Sequence, residues 1–183
     1  MRCAFPPGKG AFSIPTGHKL VSGDAMNKPT RKQYAFWIGL ALAVGALSGF
    51  LTREGTALYG DMLPKPALSP PGWLFPLVWS VLYALMGVSS AKIWAAPATL
   101  ERSRGINLFI AQLIVNFFWS PIFFNARAYG LALLWLLLLW VLVLRMILHF
   151  RKVDKSAARL QIPYLLWLTF AAYLNWSVWQ LNK

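Results

Sequence analysis

The chain has 183 residues, 58% of them hydrophobic and 13% charged, with 18 Lys and Arg against 5 Asp and Glu for a net charge of +13. That composition excludes an ordinary soluble domain, and the sole cysteine, Cys3, excludes an intramolecular disulfide and a cysteine metal cluster. The charge does not point to nucleic acid, because the basic residues fall in short stretches between apolar runs and no basic face gathers them.

Residues 1–27 hold Pro6, Pro7, Gly8, Gly10, Pro15, Gly17 and Gly23 without a sustained apolar run, so a disordered N-terminal extension is expected, and not a signal peptide. Residues 28–183 read as one unit. Charge-free runs cover 33–52, 66–91, 105–126, 128–144 and 160–182, each near or above the roughly 17–25 residues that span hydrocarbon. The fourth extends through Arg145 to His149, because a long basic side chain near a helix end reaches back to the interface. The expected fold is an all-α integral membrane protein, a five-transmembrane-helix bundle.

In the first run Gly45 and Gly49 have the GxxxG spacing that lets helices approach closely. The stretch 53–68, with Arg53, Glu54, Asp61 and Lys65, is the longest connection and a candidate lid. Ser69-Pro70-Pro71 reads as the entrance of the second helix and Pro76 as a kink one turn later. Trp73 falls at interfacial depth; Trp79 and Tyr83, four apart, share a face further in. In the third run Gln112, Asn116 and Trp119 line one face, and Pro121 kinks its far end. Buried amides of this kind usually bond to neighbouring helices, at about 0.6–2 kcal/mol each. The fourth run is nearly all leucine with Trp135 and Trp140, a lipid-facing wall. In the fifth, Ser156 reads as a cap and Pro163 as an early bend, while Trp167, Ala171, Leu174 and Val178 form a stripe beside Asn175.

Five spans put Lys28, Arg31, Lys32, Lys92, Arg102, Arg104, Arg145, Arg151, Lys152, Lys155 and Arg159 on one side and only Arg53, Lys65, Arg127 and Lys183 on the other. The excess places the N-terminus inside a multi-pass protein, with a bacterial cell membrane expected over an outer membrane. No ionisable residue lies deep in a run, which weighs against proton-coupled transport, and no Ser–His–Asp or Cys–His set occurs there. What remains is ten tryptophans with prolines and a few amides, rigid flat surface suited to an extended planar ligand.

Three blocks carry a resemblance: 64–73 (Pro-Lys-Pro-Ala-Leu-Ser-Pro-Pro-Gly-Trp) with Pro76 to Trp79; Gln112 to Arg127 with Asn116 and Trp119; and Pro163 to Trp167 through Asn175 to Trp179. Together they resemble a bacterial-type member of the TspO/MBR translocator proteins, also called tryptophan-rich sensory proteins or peripheral benzodiazepine receptors. The resemblance implies a five-helix bundle with a pocket opening toward the first connection. Its ligands would be porphyrins, haem, cholesterol or benzodiazepine-site drugs. It also implies that Trp79 and Trp167 match tryptophans used in light-dependent porphyrin breakdown, and that Ala171 matches a pocket alanine. The family's animal sterol motif is absent, since Trp176 and Gln180 stand where its tyrosine and arginine belong, which weakens the case for a sterol.

Three readings follow: a receptor or sensor that binds a porphyrin-type tetrapyrrole, a photo-oxidative enzyme with Trp79 and Trp167 as catalytic indoles, or a tetrapyrrole transporter. The expected ligand-binding residues are Trp73, Trp79, Tyr83, Asn116, Trp119, Trp167, Ala171 and Leu174, with Arg53 and Lys65 for the propionates. Asn116 is expected as a hydrogen-bond donor to the ligand. No cofactor or metal is required, and haem iron would lack an intramembrane histidine. Besides membrane lipid, the expected partner is a second copy in a homodimer, with Gly105 and Ala111 resembling positions that pack family dimers.

Overall fold

The structure is a computed structural model and describes residues 28–62 and 69–182. Every regular element among the described residues is helical: α1 Arg31–Leu51, α2 Arg53–Met62, α3 Leu74–Ala95, α4 Leu100–Ser120 continued by a π-helical turn Pro121–Asn125, α5 Tyr129–Val153, α6 Lys155–Leu160 and α7 Ile162–Leu181. The expected disordered extension 1–27 and Lys65 lie outside the described residues.

Four helical segments are long and apolar enough to cross a membrane: Arg31–Leu51, Leu74–Ala95, Leu100–Asn125 and Tyr129–Val153. The chain is an integral membrane protein. The fifth predicted helix is present as α7, 20 residues long, but its tryptophans, tyrosines, Asn175 and Gln180 leave it less apolar than those four.

Local sequence sets the ends. Thr30 and Gln33 form a capping box on α1, and Thr99 accepts from Arg102 N at 3.2 Å to cap α4. The expected kink at Pro76 is absent: α3 begins at Leu74, so Pro76 sits in its first turn, where the missing N–H has no partner to lose. The expected bend at Pro163 is present as the break between α6, which ends at Leu160, and α7, which resumes at Ile162. Ser69 is accordingly outside α3, and the cap next to Ser156 is Asp154, whose Oδ1 accepts from Ser156 N at 2.7 Å and Ala157 N at 3.2 Å. Pro121 does distort its helix, opening the π-helical turn.

α5 is more than a wall. Tyr129, Ala132, Leu136, Leu139, Val143, Met146 and Phe150 form a buried stripe against α4 and α7, while Leu131, Leu134 and Leu138 stay exposed. Gly45 seats α1 on α3, since a Cβ there would lie 2.2 Å from Cε2 of Tyr83; at Gly49 a Cβ would meet nothing. Gly105, expected on a dimer face, is instead buried within the chain, where a Cβ would lie 2.9 Å from Cδ1 of Phe150. The connection after α1 is mostly α2. Gly55 brings α2 onto the π-helical turn, with a Cβ there 2.6 Å from Oδ1 of Asn125, so the element folds over that end of the bundle.

Candidate functional site

α3 and α7 run antiparallel and meet through rings. Trp79 lies 5.4 Å from Tyr83 and 6.1 Å from Tyr164 between ring centroids; one turn nearer the start of α3, Phe75 lies 5.9 Å edge-on from Trp167. Trp167 also packs 5.6 Å from Phe170. Both indoles are half-buried on this seam, and Ala171 and Leu174 are buried further along α7.

Beneath the seam lies a closed polar network. Tyr83 OH donates to Oδ1 of Asn116 at 2.7 Å, Nδ2 of Asn116 donates to Tyr164 OH at 2.7 Å, and that hydroxyl donates to Oε1 of Gln112 at 3.0 Å. Gln112 Nε2 ends the chain against Sδ of Met86 at 3.9 Å. The two amides of the α4 face are therefore satisfied by tyrosines from two other helices, as polar groups without water must be. Asn116 was expected as a donor to the ligand; instead its amide bonds run to Tyr83 and Tyr164.

Trp119 belongs to a second cluster. It stacks on Phe123 at 5.1 Å and donates to Oδ1 of Asn175 at 3.3 Å, while Asn175 Nδ2 donates to the Tyr129 carbonyl at 2.8 Å. Trp73 precedes α3 and is 68% exposed, an interfacial position. Arg53 opens α2 as an exposed cation, 3.9 Å from the Glu54 carboxylate and with its guanidinium 4.6 Å from the Phe50 ring centre. The structure thus gathers Trp79, Tyr83, Asn116 and Trp167 around one core, with Trp119 bridging that core and the second cluster, and sets Trp73 and Arg53 apart. Sequence reasoning missed Tyr164, although it lies three residues before Trp167 and so one helical turn away.

Among the described residues, three side chains keep buried polar atoms without a hydrogen-bond partner: Nε1 of Trp167, the Ser90 hydroxyl and both amide atoms of Gln161. Of these, the Trp167 N–H lies on the ring seam. No cluster of three His, Cys, Asp or Glu capable of holding a metal occurs among the described residues, and His149 Nδ1 lies 2.6 Å from Glu101. The seam therefore sets aromatic rings beside one donor that has no acceptor among the described residues.

Known proteins resemble this chain in sequence. The TspO/MBR family profile matches residues 37–180. The tryptophan-rich protein TspO of Chlorobaculum tepidum is 40% identical over 149 residues, covering 81% of this chain and 94% of its own. The translocator protein of Homo sapiens is 38% identical over 147 residues, 78% and 86% of the two chains. The tryptophan-rich sensory protein of Cereibacter sphaeroides is 37% identical over 123 residues, 67% and 75% of the two chains. With the match spanning all the long helices and both halves of the ring seam, the chain belongs to the TspO/MBR family.

Proposed function

We propose that the protein is a membrane receptor or sensor that binds a porphyrin-type tetrapyrrole, protoporphyrin or haem, on the seam between α3 and α7, with α7 as the fifth span of the bundle. The observation that carries this reading is the buried, unpartnered N–H of Trp167 among Phe75, Phe170 and the Trp79 network. A buried donor left without an acceptor costs about 1–3 kcal/mol, which an acceptor on a bound ligand restores. The names of the relatives, sensory and translocator, accord with a ligand-responsive membrane protein. With no described histidine near the seam, recognition rests on ring shape and stacking. Arg53, and Lys65 beyond the described residues, supply cations for the propionates. A homodimer belongs to the same reading. Ala111, half-buried on α4, is its remaining marker; Ala111→Leu is expected to shift the solubilised protein to monomer in analytical ultracentrifugation, and an unchanged dimer removes that marker.

Titrating the purified protein with protoporphyrin, followed by tryptophan quenching, tests the site. Trp167→Phe keeps most of the apolar area but removes the N–H, and is expected to weaken binding several-fold, in line with the roughly 0.5–1.5 kcal/mol of one aromatic contact. Unaltered affinity in Trp79→Phe and Trp167→Phe alike places the site elsewhere. A photo-oxidative enzyme is favoured as the second reading by one contact, the packing of Trp79 against two hydrogen-bonded tyrosines, Tyr83 and Tyr164. Under that reading Trp79→Phe abolishes light-driven loss of protoporphyrin absorbance while binding persists; an undiminished rate leaves the receptor reading alone.

A further inference from the structure

The end of the bundle where α1 starts and α3 finishes carries a groove of about 430 Å³ lined by Lys32, Gln33, Phe36, Trp37 and Trp94. Its walls are fixed aromatic surface. Trp37 is buried, with its ring centroid 5.5 Å from Trp94, 5.4 Å from Phe36 and 5.6 Å from Phe109. Phe36 and Trp94 themselves remain exposed.

Two cations stand over these walls. Lys32 is exposed on the second residue of α1, and the Arg102 guanidinium lies 4.9 Å from the Trp94 ring centre, a cation–π distance. Neither has a carboxylate partner among the described residues. The nearby acids are already engaged: Glu101 by Arg104 at 3.8 Å, Lys152 at 3.3 Å and His149 at 2.6 Å, and Asp154 by Lys92 at 3.3 Å. The rim of the groove therefore carries uncompensated positive charge above an apolar floor.

Depth decides what such a groove meets. Lys32 and Trp94 lie within two residues of the ends of apolar membrane helices, which is headgroup level, and an indole with a basic neighbour is the residue pair that level favours. We propose that this groove binds the headgroup of an anionic phospholipid. Lys32 and Arg102 meet the phosphate, and Phe36 and Trp94 pack on the glycerol and first methylenes. A zwitterionic lipid brings its own cation to the same rim and gains less. The site lies fifteen residues along α3 from Trp79, about 22 Å at 1.5 Å per residue, and does not rest on the porphyrin reading.

Native mass spectrometry of the full chain in detergent tests this, with dioleoylphosphatidylglycerol and dioleoylphosphatidylcholine as probes. One phosphatidylglycerol is expected to be retained at least 10-fold more tightly than phosphatidylcholine, given roughly 5-fold for each basic residue near an anionic group. Lys32→Gln with Arg102→Gln removes that preference, whereas Lys32→Arg keeps it, and protoporphyrin binding and helical circular dichroism stay as in the parent. Equal retention of the two lipids, or a preference that survives the double substitution in a folded protein, overturns the proposal. Glycerol 3-phosphate separates the sources: if it binds as tightly as the lipid and depends on Lys32, the ligand is a free phosphate and the lipid assignment is wrong.

Discussion

The Tyr164 hydroxyl accepts from Asn116 and donates to Gln112, so one oxygen serves two buried amides of α4. Its removal leaves both amides short of a partner where no water compensates, which costs about 1–3 kcal/mol. Tyr164→Phe is therefore expected to lower the thermal unfolding temperature in detergent clearly, while Trp167→Phe, which deletes an N–H that bonds to nothing and with it the cost of burying that donor, does not lower it. Equal losses in both variants mean that the Trp167 donor has a partner in the folded protein and cannot serve as a vacant ligand contact. The sequence makes the amide face Gln112, Asn116, Trp119 legible because amides in an apolar run must be satisfied, but it does not say by what. An aromatic residue on an apolar helix carries no mark of where its hydroxyl points, so the sequence does not single out Tyr164 as the partner of Asn116 and Gln112.

Among the elements, helix contacts are set by small residues whose partners the local sequence does not name. GxxxG spacing draws attention to Gly45 and Gly49, yet only Gly45 faces α3, while Gly87, with no such spacing, is where α3 meets the α1 backbone: a Cβ there would lie 2.4 Å from Cα of Ile38. Gly87→Val forces α1 and α3 apart and should impair folding, seen as aggregation in size-exclusion chromatography, whereas Gly49→Ala, facing open space, should elute as the parent does. Pro76 leaves α3 unkinked for a different reason: a kink requires a helix already under way, and α3 starts only at Leu74.

The corner between α5 and α6 carries a pH signature. Burial raises the pKa of Asp154, but the Ser156 hydroxyl, the Ala157 and Ser156 N–H groups and the Lys92 ammonium together outweigh it and hold the carboxyl below its ordinary value. A depressed carboxylate stabilises the fold above the ordinary carboxylate range, near pH 4, and that contribution is lost as pH falls through the folded value. Thermal stability should therefore drop on acidification. Asp154→Asn should be less stable at neutral pH and show a shallower drop; a parent curve that is flat into acid contradicts a carboxyl held low by the Ser156 and Ala157 hydrogen bonds and Lys92.

At the scale of the whole molecule, charge-free length made all five helices legible, and four of them are also apolar enough over their length to cross a membrane. α7 packs on α5 and buries Tyr164, Leu168, Ala171, Leu174, Asn175 and Val178, so its amide and aromatic side chains are used inside the bundle. The number of spans fixes the relation of the chain ends. Four put Lys28 and Asn182 on one side of the membrane, and five put them on opposite sides. The basic residues decide which side is which, because 28–32, 92–104 and 145–159 gather on the N-terminal side through the first four spans, and α7 decides only where Asn182 lies. Cys3 is the single native cysteine, so a Cys3→Ser background carrying either Lys28→Cys or Asn182→Cys can be labelled with a membrane-impermeant maleimide in intact cells and in inverted vesicles. Asn182→Cys is expected to label from outside and Lys28→Cys only from inside. Labelling of both from one side would show that α7 does not span, and with it the α3–α7 seam would no longer be a site within the bilayer.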